Sequence, residues 1–224
     1  MEISATTVNV LKNFASINAN IVIQPGNKIM TISEAKNVLA EAVIQENFDT
    51  IVGIYDLQEF LNVLGLVNQP QIRFAHNNMT IGDNSGRMQV KYFYADPEML
   101  TSPHKPIVMP EEDVWFTLDQ TTLNGLKRAA TIFAHNQLVV EPNNGSIKLS
   151  VVDPDNKTSN EFSIDVDGGY KKDQFKFVLN IINLKLLAND YQVKISSKLI
   201  SQFTSTDNSL TYWIALEKSS TYGE

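Results

Sequence analysis

The chain writes one helix twice. TTVNVLKNFASI (residues 6–17) and TTLNGLKRAATI (residues 121–132) lie 115 positions apart and agree at seven of twelve places. In a chain of 224 residues this match implies two copies of one unit. Each copy would be about half the chain, which is the size of a domain and too long for a solenoid repeat.

Local patterns fill in both copies. Ser4 reads as an N-cap, and the spacing of Thr7, Leu11, Phe14 and Ile17, with Val10 beside them, predicts a helix over 4–18. Its opposite face, Ala5, Asn9, Lys12 and Ser16, is small, polar and free of acid. IVIQPGNKIMTIS places two β-branched runs around Pro25-Gly26 and reads as a hairpin. NVLAEAVIQ and FDTIVGIY read as strands, and Asp56 caps a second helix with Leu57, Phe60, Leu61 and Leu64 on one stripe. QIRFAH, MTIG and RMQVKYFY follow as short strands. Residues 96–113 hold four of the eight prolines and an acidic run, and read as a linker between domains 1–110 and 111–224.

The order then repeats. VWFTL is a strand, and Asp119 caps the helix QTTLNGLKRAATIF, with Leu126, Ala130 and Ile132 expected in the core. QLVVEPNNGSIKLSVVD is a hairpin, and SNEFSIDV and DQFKFVLN are strands. NIINLKLLA reads as a short helix matching the one at Asp56, and YQVKISS, LISQFTST and SLTYWIALE are closing strands. The expected class is α+β, with two helices packed on an antiparallel sheet in each of two tandem domains.

The chemistry of catalysis is thin. There is no cysteine, hence no disulfide, thiolate metal site or cysteine nucleophile. His76, His104 and His135 are scattered without metal spacing. Gly82 to Gly86 and Gly168-Gly169 read as turns, since neither is followed by the Lys-Ser/Thr of a phosphate loop. DPDNKTSNE lacks the Gly and the Glu of a calcium loop. No enzyme, cofactor or metal is expected. The N-terminus has no basic segment followed by an apolar run, so no secretory signal is expected, and no apolar stretch is long enough to cross a bilayer.

The net charge of −7 argues against nucleic-acid binding only if it is spread evenly. It is not. The repeat keeps Asn9 with Asn124 and Lys12 with Lys127 on solvent faces, and Arg128 adds a cation in the second copy. Asn180, Asn183 and Lys185 lie in the other predicted helix. The acids concentrate in strands, turns and the linker. Such a chain can hold DNA loosely on one surface through a few salt-sensitive phosphate contacts and repel it elsewhere.

TTVNVLKNFASIN, IYDLQEFLNVLGLVN, FKFVLNIINLKL and the terminal YWIALE resemble, in matching order and length, the sliding clamps of T4-type bacteriophages, which act as DNA polymerase processivity factors. The resemblance implies a clamp-fold, ring-shaped homotrimer with helices lining a hole for duplex DNA and no chemistry of its own. It implies loading by an ATP-driven clamp loader, tethering of the phage DNA polymerase, and a mobile activating role in late transcription with sigma-like and co-activator proteins, all in the host cytoplasm and away from membranes. Asn9, Lys12, Asn124, Lys127, Arg128 and Lys185 would face DNA. Edge strands carrying Val90, Tyr92, Phe93 and Phe162, Ile164 would pair between subunits, and Ile107, Val108, Met109, Trp213 and Ile214 would form a pocket for partner peptides. The competing readings are a phage structural or assembly protein built from duplicated β-rich domains, and a small-molecule enzyme, which would need a cleft of converging titratable groups.

Overall fold

A computed structural model describes residues 1–103, 107–156 and 158–223. His104 therefore lies outside the described residues. The chain divides into two compact units, Met1–Lys105 and Pro106–Glu224.

The first unit runs α1 (Ala5–Ile17), β1 (Ile21–Ile23), β2 (Gly26–Ile32), β3 (Val38–Phe48), β4 (Val52–Ile54), α2 (Leu57–Leu66), β5 (Gln71–Phe74), β6 (Asn78–Gly82) and β7 (Gln89–Phe93). The expected hairpin across Pro25-Gly26 does not form. β1 pairs antiparallel with β4, whereas β2 pairs with β3. β1 is buried at all three positions and sits beside the equally buried β4. Gly26, at φ +117°, redirects the chain between two ladders. Two apolar runs around a turn say that strands are there, not which strand each one joins. β5, β6 and β7 form an antiparallel meander. α1 packs on α2 and on β3.

The second unit runs β8 (Val114–Leu118), α3 (Gln120–Phe133), β9 (Gln137–Asn143), β10 (Ser146–Val152), β11 (Phe162–Val166), β12 (Gly168–Tyr170), β13 (Phe175–Asn180), β14 (Tyr191–Ser196), β15 (Ile200–Ser205), β16 (Leu210–Ala215) and β17 (Thr221–Tyr222). Antiparallel ladders join β11-β10-β9-β13-β17 and β12-β8-β14-β15-β16. The β9–β10 hairpin turns at Asn144 and Gly145, with φ 47° and 90°, as a two-residue turn with both residues left-handed requires.

Two expected local structures fail in this unit. Gly168-Gly169 is not a turn but the start of β12, paired with β8. A Cβ on Gly168 would stand 2.4 Å from the Trp115 carbonyl oxygen, and one on Gly169 would stand 2.6 Å from the Trp115 ring. Glycine is needed there for close approach, not for turning. NIINLKLLA is not an α-helix. It makes a single 3-10 turn, Ile181–Asn183, capped by the Asn180 side chain accepting from the Ile182 N–H. β-Branched Ile181 and Ile182 followed by Asn183 make a poor helix start. The fold class of tandem α+β units stands, but the second unit has one α-helix among its described residues.

Candidate nucleic-acid interface

The two repeated helices are anchored at their N-termini by acids. At α1, Ser4 caps Thr7, and the buried Glu46 of β3 accepts from the Ser4 N–H and the Thr7 hydroxyl, both at 2.5 Å. Burial alone would raise the Glu46 pKa, but these hydrogen bonds hold it below the usual carboxylate range. At α3, Asp119 accepts from the Thr122 N–H at 2.7 Å and Asp190 from the Gln120 N–H at 2.8 Å. Carboxylates at these ends suit the positive pole of the helix dipole. Glu46 and Asp190 were missed in the sequence. Glu46 had a signal, because it falls on the alternating apolar face of β3, in step with Ala42, Ile44 and Phe48.

The helices bury different stripes. α1 buries Thr7, Val10, Leu11, Phe14 and Ile17. α3 buries Thr122, Leu123, Leu126, Ala129 and Ala130. Three positions correspond across the repeat: Thr7 with Thr122, Leu11 with Leu126, Phe14 with Ala129. The other two do not, and at 100° per residue the buried direction of α3 is turned by roughly 60° relative to α1. Gly125 stands where α1 has Val10 and offers nothing to bury, whereas Leu123 replaces the smaller Val8 and becomes 1% exposed. Ile132, expected in the core as the partner of Ile17, is instead 65% exposed, against 7% for Ile17.

This roll decides which polar residues point outward. Asn9 and Lys12 are exposed on α1. On α3, Asn124 and Arg128 are exposed. Lys127, aligned with Lys12, lies half-buried on the flank, and burial lowers its pKa. Among the described residues no carboxylate forms an ion pair with Lys12, Lys127 or Arg128. Neither helix contains an acid, whereas α2 is capped by Asp56 and carries Glu59. Lys185 is half-buried just after the 3-10 turn.

The remaining site residues separate by exposure. Val90, Tyr92, Phe162 and Ile164 are half-buried, and Phe93 is 60% exposed. They lie on β7 and β11, which are edges of their ladders. Tyr92 meets Phe60 of α2 edge to face at 5.5 Å. In the intended peptide pocket, Ile107 and Met109 are half-buried and Val108 is 83% exposed. Trp213 is buried, its indole N–H without a hydrogen-bond partner. Ile214 is sealed in the core, so it presents nothing to a docked peptide. No group of three or more potential metal ligands occurs among the described residues, and no helix there is long and apolar enough to cross a membrane.

Comparison with known proteins finds a match in each unit. Residues 4–99 match the family described as DNA polymerase processivity factor, and residues 116–218 match the gp45 sliding clamp, C terminal. The sliding clamp of Vibrio phage KVP40 is 30% identical over 97% of this chain and 99% of its own. This chain belongs to the sliding-clamp family. The sliding clamps of Escherichia phage RB69 and Enterobacteria phage T4 are 29% and 28% identical, each over 99% of both chains. The clamp fold itself reaches further. A Thermococcus kodakaraensis PCNA structure superposes with a TM-score of 0.68 at 14% identity, over 95% of this chain and 96% of that one. A Helicobacter pylori beta clamp bound to a DNA ligase peptide superposes at 0.69 and 13% identity, over all of this chain and 68% of that one.

Proposed function

We propose that this sliding clamp closes as a homotrimeric ring around duplex DNA and tethers the phage DNA polymerase, performing no chemistry itself. The observation that carries the reading is the acid-free outward face written twice per chain in an otherwise acidic protein: Asn9 and Lys12 on α1, Asn124 and Arg128 on α3, with Lys127 and Lys185 at its border. A few cations give sequence-independent contact that salt weakens, which permits sliding. Loading by an ATP-dependent clamp loader, a mobile activating role in late transcription and action in the host cytoplasm belong to the same reading, supported by the kinship with T4-type clamps. Partner peptides would dock near Ile107, Val108, Met109 and the Trp213 indole.

Subunits would join by pairing β7 of one copy with β11 of the next, and the two edges support one parity of register. The Asp83 N–H donates to the Met88 carbonyl, and the Tyr94 N–H to the Asn77 carbonyl. The alternation then turns the backbone groups of Gln89, Lys91 and Phe93 to the free edge. On the other side, Asn143 and Ser146 close a two-residue turn, which leaves Ser163 and Asp165 facing outward. Even residues on both strands are half-buried, so odd must meet odd. Setting Lys91 opposite Ser163 puts it diagonally between Glu161 and Asp165, and brings Tyr92 against Phe162 and Val90 against Ile164.

The test is retention on DNA. After loading, the clamp is expected to stay on closed circular DNA and leave when the circle is cut; equal retention on linear DNA would refute the encircling mode. The chain has no cysteine, so the register can be read by disulfides. Val90→Cys with Ile164→Cys should give covalent trimers on oxidation, and Val90→Cys with Val166→Cys should not; the reverse result would move the register by two residues.

A further inference from the structure

A cavity of about 530 Å³ opens in the second unit between the C-terminal half of α3 and the 3-10 turn Ile181–Asn183. It has a cause in the repeat. In the first unit α2 packs against α1. In the second unit the corresponding segment makes only a three-residue turn, and α3 faces it with the small side chains of Ala130 and Ala134. Space that a helix occupies in one copy is left open in the other.

The walls are chemically mixed in a definite way. Ala130, Ala134, Ile181 and Leu184 make an aliphatic floor, and Ile182 stands 62% exposed at the rim. Lys127 is the one lysine or arginine of the lining, and no Asp or Glu is among the lining residues. No carboxylate among the described residues forms an ion pair with it. Burial lowers its pKa, so its charge is held where hydration is incomplete and no anion compensates. His135 is already engaged, its Nε2 2.9 Å from the Asn160 carbonyl oxygen.

We propose that this cavity is a docking site for a peptide segment of a partner protein that carries an apolar side chain next to a carboxylate. The apolar side chain would lie on Ala130, Ile181 and Leu184, and the carboxylate would meet the Lys127 ammonium. The volume is that of a small-ligand cleft, and the hollow is open to solvent, which suits a side chain laid in from outside. An exposed isoleucine beside an apolar hollow is the kind of surface partners cover. A charge-assisted hydrogen bond to a half-buried ammonium fixes the orientation. A nucleic-acid backbone fits the hollow less well: a phosphodiester is strongly hydrated and wants several donors, and of the polar side chains beside Lys127 the Thr131 hydroxyl already donates to the Lys127 carbonyl and His135 is held at Asn160, which leaves Asn136. The site goes beyond the encircling reading and is separable from it, since neither Arg128 nor Asn124 lines the hollow.

The test uses the full-length protein labelled at isoleucine and leucine methyls. N-acetyl-Phe-Asp-amide is titrated against N-acetyl-Phe-Asn-amide, which has the same shape without the charge. Saturable shifts at Ile181, Ile182 and Leu184 are expected with the Asp peptide, with the Asn peptide binding about tenfold more weakly. In Lys127→Met the two peptides should bind alike. No saturable shift, equal affinity of the two peptides for the unmodified protein, or an unchanged preference in Lys127→Met would each overturn the proposal. So would the same saturable shifts with a short DNA duplex, which would assign the hollow to nucleic acid. Retention of the unmodified protein on closed circular DNA, measured in parallel, separates failure of this site from failure of the encircling mode.

Discussion

α1 and α3 begin from nearly the same dozen letters and end with different faces toward the core. Val10 and Phe14 pull α1 onto its sheet along one line, and their counterparts Gly125 and Ala129 cannot. Leu123 takes over, and α3 rolls. The lysine that the repeat aligns with Lys12 is thereby carried to the flank, and Arg128, aligned with Asn13, takes the outermost place. Identity along the chain is therefore not equivalence in space. In a helix the apolar side chains choose which polar ones meet the solvent, so a change at two core positions reassigns the surface without touching a surface residue. The same loosening accompanies the open hollow beside α3, where the first unit has a second helix.

The comparison can be broken first by stability. Ile17→Ala should cost about 2–5 kcal/mol, and Ile132→Ala within about 0.5 kcal/mol, in chemical denaturation. Equal losses would mean that the roll is absent. Next comes binding. Arg128→Gln should weaken loaded-clamp contact with DNA and lower the slope of log affinity against log salt by roughly one unit per lost phosphate contact, while Lys127→Gln should change it less. A larger effect at Lys127 would restore the aligned pair as the working one.

Glu46 supplies a test at the first helix alone. Its folded pKa lies below its unfolded value, so its stabilisation is present above the unfolded pKa and lost as pH falls through the folded one. Glu46→Gln should lower stability at pH 7 by about 1–2 kcal/mol and flatten its decline on acidification. A parallel shift of the whole pH profile would rule out the carboxylate as the source. The smallest effect is expected at Lys127. Its folded pKa is depressed, so its charge opposes folding until pH rises through that pKa. Lys127→Met should leave the melting temperature unchanged or slightly raised, and a clear drop would show that the ammonium is stabilising.

Much of this was legible in the letters. The repeat gave the tandem units, the caps at Ser4, Asp56 and Asp119 gave the helix starts, and Asn144-Gly145 gave its hairpin, because each rests on chemistry within a few residues. What the letters withheld depends on distant partners. The pairing of β1 with β4 follows from which strands share a buried layer, not from Pro25-Gly26. The role of Gly168 and Gly169 follows from the closeness of Trp115. The exposure of Ile132 and the retreat of Lys127 follow from the roll of α3, which the side chains opposite it determine. Ile214, expected in the pocket for partner peptides, is sealed in the core.

The central claim is a closed ring of three identical subunits. Sedimentation of the purified protein, at tens of micromolar to oppose dissociation on dilution, tests it most directly. The account predicts a particle of about 75 kDa, three times the 25.1 kDa chain. A particle that stays at the mass of one chain, or settles at two or four, would contradict it.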